Sequence, residues 1–187
     1  MTARHPELDQ LLEGLVAERW SCRAYRGDQV PHDKMVRLLT LAQRAPSWCN
    51  TQPWEVIVTE GEGIERFRTA LASHAKEQGS DLTPDIPMPQ QYKGVHLERR
   101  RESGWQLYEA VGVARGDRGA SARQAFKNFE LFGAPHAAVI TVDVDQGPYA
   151  VLDTGVYVAK PPLTKVCLFT LPNTGAAMTR PARTANS

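Results

Sequence analysis

The chain has 187 residues, 42% apolar and 23% charged, a balance that predicts one globular domain with a substantial core. A formal net charge of +1 exerts no global pull toward nucleic acid or a membrane surface, so neither is expected as a partner. The three cysteines (Cys22, Cys49 and Cys167) are odd in number and lack metal-ligand spacing, which argues against a disulfide framework and a zinc site.

The opening MTARHPELDQ has no apolar signal core and no run reaches the length of a membrane span, so a cytoplasmic location is expected. Leu8, Leu11, Leu12, Leu15 and Val16 then recur at helical spacing and predict an amphipathic helix over 7–18. It runs directly into Arg19-Trp-Ser-Cys-Arg23. After Pro31, the spacing of Met35, Val36, Leu38, Leu39 and Ala42 predicts a second helix that must stop before Pro46. Residues 54–59 (WEVIVT) are short and β-branched and predict a strand. Ile64, Phe67, Leu71 and Ala75 predict a third helix ending near Gly79.

Residues 80–91 carry three prolines and no period, the pattern of a loop or lid, with Met88 and Tyr92 as candidates to pack over an aromatic ligand. A polar helix is expected from Val95 to Val113, its Arg99–Arg101 run read as a solvated face. A shorter helix is expected over Ala122–Phe132, with Gly133 as its C-terminal stop. Residues 137–142 (AAVITV) read as a second, buried strand. Tyr149–Val158 opens another buried helix, which Pro161 and Pro162 should stop. Beyond Asp153 there is no acidic residue, and the Thr-, Pro- and Ala-rich segment 170–187 is expected to be poorly ordered.

Two short stretches carry chemistry. In Arg19-x-Ser21-x-Arg23, two forked guanidinium donors bracket a hydroxyl, a set suited to a phosphate monoester. In extended backbone, alternate side chains point the same way and can converge on one anion. That spacing alone is common by chance. The second stretch is Arg44–Trp54, RAPSWCNTQPW. Pro46 ends a helix, and Pro53 is expected to push Gln52 toward an extended conformation. Asn50 and Gln52 offer amide donors and acceptors that match a ring of alternating N–H and C=O groups. Trp48 and Trp54 fit equally well as anchors of a tight loop on the core.

Taken together and in this order, the two stretches resemble the FMN-dependent nitroreductase family. The matching residues are Arg19, Ser21, Arg23 and Tyr25, then Ala45, Pro46, Ser47, Asn50, Gln52, Pro53 and Trp54, and later Phe132-Gly-Ala-Pro135 before a strand. Residues 104–108 and the Asp117/Arg118 neighbourhood are most similar to its nitrobenzoate-reductase branch. The resemblance implies an α+β fold, a mixed sheet surrounded by helices, and a homodimer with FMN at the interface. It implies that Arg19, Ser21 and Arg23 hold the FMN phosphate, with Trp20 on the adjoining backbone. Pro46, Ser47 and Asn50, with Trp48 nearby, would line the flavin ring of the partner subunit. NAD(P)H would be the reductant and a small nitroaromatic or quinone the oxidant, in ping-pong order. No protein nucleophile or base is needed. His74, His96 and His136 read as ordinary surface or core residues, and Cys22 and Cys49 as small apolar ones.

The resemblance covers roughly residues 7–158 and stops at Ala159-Lys-Pro-Pro162. The expected organisation is therefore an incomplete nitroreductase-like domain over 1–158 and an atypical, disordered tail over 159–187. The C-terminal part of the fold would be missing, as in a truncated or frameshifted version of a longer parent. Two other readings follow: an inactive fragment with weak or no flavin binding, and the same fold running flavin destruction or reductive dehalogenation.

Overall fold

Ala137–Asp143 is apolar on both sides of its period-2 pattern, and a strand of that kind must be covered on both faces. The computed structural model describes residues 6–18, 21–79, 84–159 and 167–173. Its helices are α1 (Pro6–Ala17), α2 (His32–Ala42), α3 (Glu62–Gln78), α4 (Gly94–Ala110), α5 (Arg118–Phe126) and α6 (Gly147–Ala159). The strands are β1 (Trp54–Thr59), β2 (Ala137–Asp143) and β3 (Cys167–Asn173). Among the described residues no helix is long and apolar enough to cross a membrane.

The strands form one mixed sheet in the order β1-β2-β3. β1 runs antiparallel to β2, from Trp54 opposite Val142 to Thr59 opposite Ala137. β3 runs parallel to β2, from Ala137 opposite Cys167 to Asp143 opposite Asn173. A parallel neighbour needs a crossover, and α6 lies in that connection.

Alternation along β2 decides which helix covers which face. Ala138 packs with Met35 of α2, and Ile140 with Ala42, Ala45, Trp54 and Tyr157. Ala137, one residue out of phase, packs instead with Ile64 of α3, Leu131 and Ala134. Trp54 and Tyr157 stack with ring centroids 4.7 Å apart, joining the start of β1 to α6. Such a pair contributes about 0.5–1.5 kcal/mol beyond the area it buries. The indole Nε1–H donates to Gln43 Oε1 at 3.0 Å, so the buried ring leaves no polar atom stranded. Buried His136 accepts the Val30 N–H at Nε2, 2.9 Å away, and so fixes the approach to α2.

Several sequence expectations need correction. The helix expected over Ala122–Phe132 instead spans Arg118–Phe126, because Asp117 caps it by accepting the Ala120 N–H at 2.8 Å. Its expected last turn is a separate left-handed turn, Leu131–Gly133. No strand was expected after Val158, yet Cys167–Asn173 extends the sheet; residues 160–166 and 174–187 lie outside the described residues. α1 forms where its spacing predicts, but it buries none of its residues. Leu8, Leu11, Leu12, Leu15 and Val16 are each more than half exposed, so the apolar stripe faces away from the core of its own chain. α4 also buries no residue, and Arg100 of its basic run lies over the Tyr92 ring at 5.5 Å.

Burial raises the Tyr157 pKa above the ordinary value of 10.0, because the phenolate would lose its hydration. The unfolded chain therefore releases this proton first as pH rises. The Tyr157 contribution is whole below pH 10 and is lost as pH climbs toward the raised folded value. Urea unfolding from pH 8 to 11 should show Tyr157→Phe losing less stability above pH 10 than the parent. Identical alkaline slopes would contradict this assignment.

Candidate functional site

The segment between α2 and β1 must turn the chain from a helix into a strand across two prolines. It does so through an unusual backbone. Cys49, Asn50 and Gln52 have φ of 50°, 55° and 47°, in the left-handed region where a residue with a Cβ is strained. Each such residue costs of order 1–3 kcal/mol unless its surroundings over-determine it. Asn tolerates this region better than Cys or Gln.

The surroundings supply three ties. The Gln52 N–H donates to Ser47 Oγ at 2.9 Å, closing the loop on itself. The Trp48 N–H donates to Asp153 Oδ2 of α6, also at 2.9 Å. The Trp48 ring lies against Tyr149, one helical turn before Asp153, with centroids 5.2 Å apart. The first tie explains why Gln52 is left-handed rather than extended as Pro53 suggested. The hydroxyl acceptor sits five residues back, and the chain must curl to reach it.

Pro53 and Trp54 are buried, whereas Pro46, Trp48 and Asn50 are exposed and Ser47 is half-buried. The two tryptophans therefore divide the alternatives that the sequence left open. Trp54 anchors the core against Tyr157, while Trp48, 62% exposed, forms part of an open wall.

The phosphate-suited motif lies on a different support. Arg19 and Trp20 fall outside the described residues. Ser21 and Arg23 are both exposed, and Arg23 Nη1 reaches the Ser21 carbonyl at 3.5 Å, the outer limit of a hydrogen bond. Two residues further on, the Tyr25 N–H donates to the Phe132 carbonyl at 3.2 Å. Phe132 belongs to the left-handed turn Leu131–Gly133, whose φ values are 57°, 52° and 74°. Arg68 staples that turn by donating to the carbonyls on either side of it, Glu130 at 3.1 Å and Ala134 at 2.7 Å. Glu65, one turn earlier on α3, pairs with the same guanidinium.

Between the motif and the turn lies a cavity of about 230 Å³, lined by Arg23, Ala24, Tyr25, Lys127, Glu130, Phe132 and Gly133. Arg23 and Lys127 against Glu130 leave one net positive charge at its mouth, the sign an anion requires. Among the described residues no three His, Cys, Asp or Glu side chains gather into a metal-binding group. His74 and His96 are exposed, and Cys22 and Cys49 are free thiols.

Sequence reasoning missed Tyr149 and Asp153, which hold the wall, and Arg68, which holds the turn. Tyr149 and Asp153 do carry a signal, an i, i+4 pair opening a helix otherwise apolar along that stretch. Arg68 carries none, because its targets are backbone carbonyls more than 60 residues away.

Comparison with known proteins concerns the chain as a whole. The model of the nitroreductase family matches residues 16–160. The nitroreductase NfnB of Mycolicibacterium smegmatis is 35% identical over 153 residues, 81% of this chain and 64% of that protein. The 4-nitrobenzoate reductase of Pseudomonas putida is 28% identical over 145 residues, 78% of this chain and 63% of that protein. The chain thus spans slightly less than two thirds of the length of both relatives. The crystal structure of the FMN-dependent nitroreductase NfnB from Mycobacterium smegmatis in complex with NADPH superposes with a TM-score of 0.74 at 35% identity. It covers 82% of this chain and 68% of that one.

Arg68→Ala would leave the Glu130 and Ala134 carbonyls without their donor and release the turn that supports Tyr25. The Glu130 carbonyl is exposed, but Ala134 is buried, and an unpaired acceptor there costs about 1–3 kcal/mol, so urea unfolding should register a loss of that order. A variant as stable as the parent would remove Arg68 from this role.

Proposed function

The chain belongs to the nitroreductase family, and from that premise we propose that it is an FMN-dependent oxidoreductase using NAD(P)H to reduce small nitroaromatic or quinone-like molecules in ping-pong order. The observation that carries this reading is the loop 46–52. Its strained backbone is fixed from both sides, yet it presents Pro46, Trp48 and Asn50 to the outside rather than to the core. An exposed apolar and amide surface of this kind suits a planar heteroaromatic ring.

The residues present fit FMN at both ends. Arg23 is an exposed donor that lines a cavity together with Lys127, which suits a phosphate, and Ser21, Arg19 and Trp20 precede it in the same motif. Pro46, Ser47, Trp48 and Asn50 would bound the ring. When bound, FMN supplies the hydride chemistry between the nicotinamide and the acceptor. The protein's own part is to bind and orient: Arg23 neutralises the phosphate, the loop holds one side of the ring, and Trp48 keeps water off that side. The FMN dependence and bound NADPH of the mycobacterial relative support the same pair here.

A homodimer completes the reading. The α1 stripe (Leu8, Leu11, Leu12, Leu15 and Val16) is continuous, apolar and uncovered, and Leu152 and Val156 of α6 are exposed as well. Water-exposed patches of this kind mark contact surfaces, and a second copy would bury them symmetrically.

Purified protein incubated with FMN should turn yellow and retain the flavin through gel filtration. Arg23→Ala should weaken FMN by about tenfold or more while leaving riboflavin, which has no phosphate, nearly unaffected. Protein that stays colourless after soaking would defeat the oxidoreductase reading. Light scattering should give twice the chain mass for the parent, and Leu12→Asp should shift the population to monomer. A parent that is monomeric at micromolar concentration would rule out the dimer.

A further inference from the structure

Asp153 is not among the residues assigned to hold the flavin, yet its carboxylate ties α6 to the backbone of the 46–52 loop. Its carboxylate accepts the Trp48 N–H at 2.9 Å, at the point where the chain enters three left-handed residues within four positions. Tyr149, four residues earlier on the same helix, meets the Trp48 ring. The next residue, Thr154, is 1% exposed and turns its hydroxyl back to the Ala150 carbonyl, so the Ala150, Thr154 and Tyr157 face of α6 is packed in the core. α6 is thus a fixed beam with two contacts on the loop, one to a backbone N–H and one to a ring.

We propose that Asp153 is a positioning residue that holds the 47–52 loop in its strained, outward-presenting form, so that the flavin ring meets a preformed wall. The proposal rests on the functional reading above. The physical reason is the loop's own backbone. Left-handed Cys49, Asn50 and Gln52 would relax toward ordinary conformations if the loop were free, and the Ser47–Gln52 bond ties it only to itself. A charge-assisted bond to a helix whose other face is packed in the core provides the external reference that fixes where the loop sits. A preformed wall binds its ring without first ordering a segment, which is where affinity is otherwise lost.

The role requires an acceptor oxygen at this place and not a charge as such. Asp153→Asn retains such an oxygen; Asp153→Ala removes it. In flavin-free protein, Trp48 amide hydrogen exchange should speed up about tenfold or more in Asp153→Ala, the factor for losing one charge-assisted bond, and Asp153→Asn should restore most of the protection. In binding titrations, Asp153→Ala should weaken FMN and riboflavin by the same factor, about tenfold, because the wall meets the ring that both share. Arg23→Ala in the same experiment should weaken FMN alone. If Asp153→Ala does not fold, Asp153→Ser, too short to reach the Trp48 amide, carries the same comparison.

Parent-like Trp48 exchange in Asp153→Ala overturns the proposal. So does parent-like flavin affinity, a loss confined to FMN, or an Asp153→Asn variant as impaired as the alanine one. A parent chain that binds no flavin while Trp48 exchange still depends on Asp153 would instead defeat the functional reading and leave the clamp in place.

Discussion

The arrangement depends on the burial of β2 on both of its faces. A strand that is apolar on both faces must find cover above and below and backbone partners at both edges. β1 and β3 supply the edges; α2 and α3 supply opposite faces, distributed by the one-residue alternation of Ala137 against Ala138 and Ile140. α6 belongs to the same solution, because a parallel β3 requires a crossover and Tyr157 on that crossover fills the space beside Ile140 and Trp54. The two candidate segments hang from this frame, one from α6 and one from α3.

Both segments share a device. Each contains consecutive or nearly consecutive non-glycine residues at positive φ, and each is held by one charged side chain from a distant helix bonded to the backbone. Asp153 accepts from a loop N–H; Arg68 donates to two carbonyls. Strained backbone is stable only where the rest of the structure over-determines it, and a charged group bonded to a peptide is a strong way to do so. In both cases the element held is also the one next to the candidate ligand surface.

Much of this was legible in the chain itself. The helices 32–42 and 62–78 and the strands 54–59 and 137–143 follow the period of their apolar residues closely, because each buries one face or both; helix 6–17 follows its period as well, although its stripe is exposed. Family membership was legible too, through Arg19-x-Ser21-x-Arg23 followed by Pro46, Ser47, Asn50, Gln52, Pro53 and Trp54. Gln52 was misjudged because the influence of Pro53 is local, while the Ser47 hydroxyl that overrides it comes from five residues away. The start of α5 was misjudged because its cap, Asp117, precedes a run with weak apolar period. β3 was missed because Cys167–Asn173 contains a proline and is flanked by prolines and polar residues, so pairing with β2 outweighs its own propensity.

By itself the sequence determined where α1, α2, α3, β1 and β2 lie and which two stretches resemble the family's motifs. Period, prolines and side-chain type act within a few residues of one another. Tertiary structure alone decided that Trp54 is core and Trp48 is wall, that α1 turns its apolar stripe away from its own domain, and that Asp153 and Arg68 govern loops far from them in the chain. These outcomes depend on which surfaces meet after the sheet has formed. A lone carboxylate or guanidinium in the sequence carries no mark of the backbone group it will find 60 or 100 residues away.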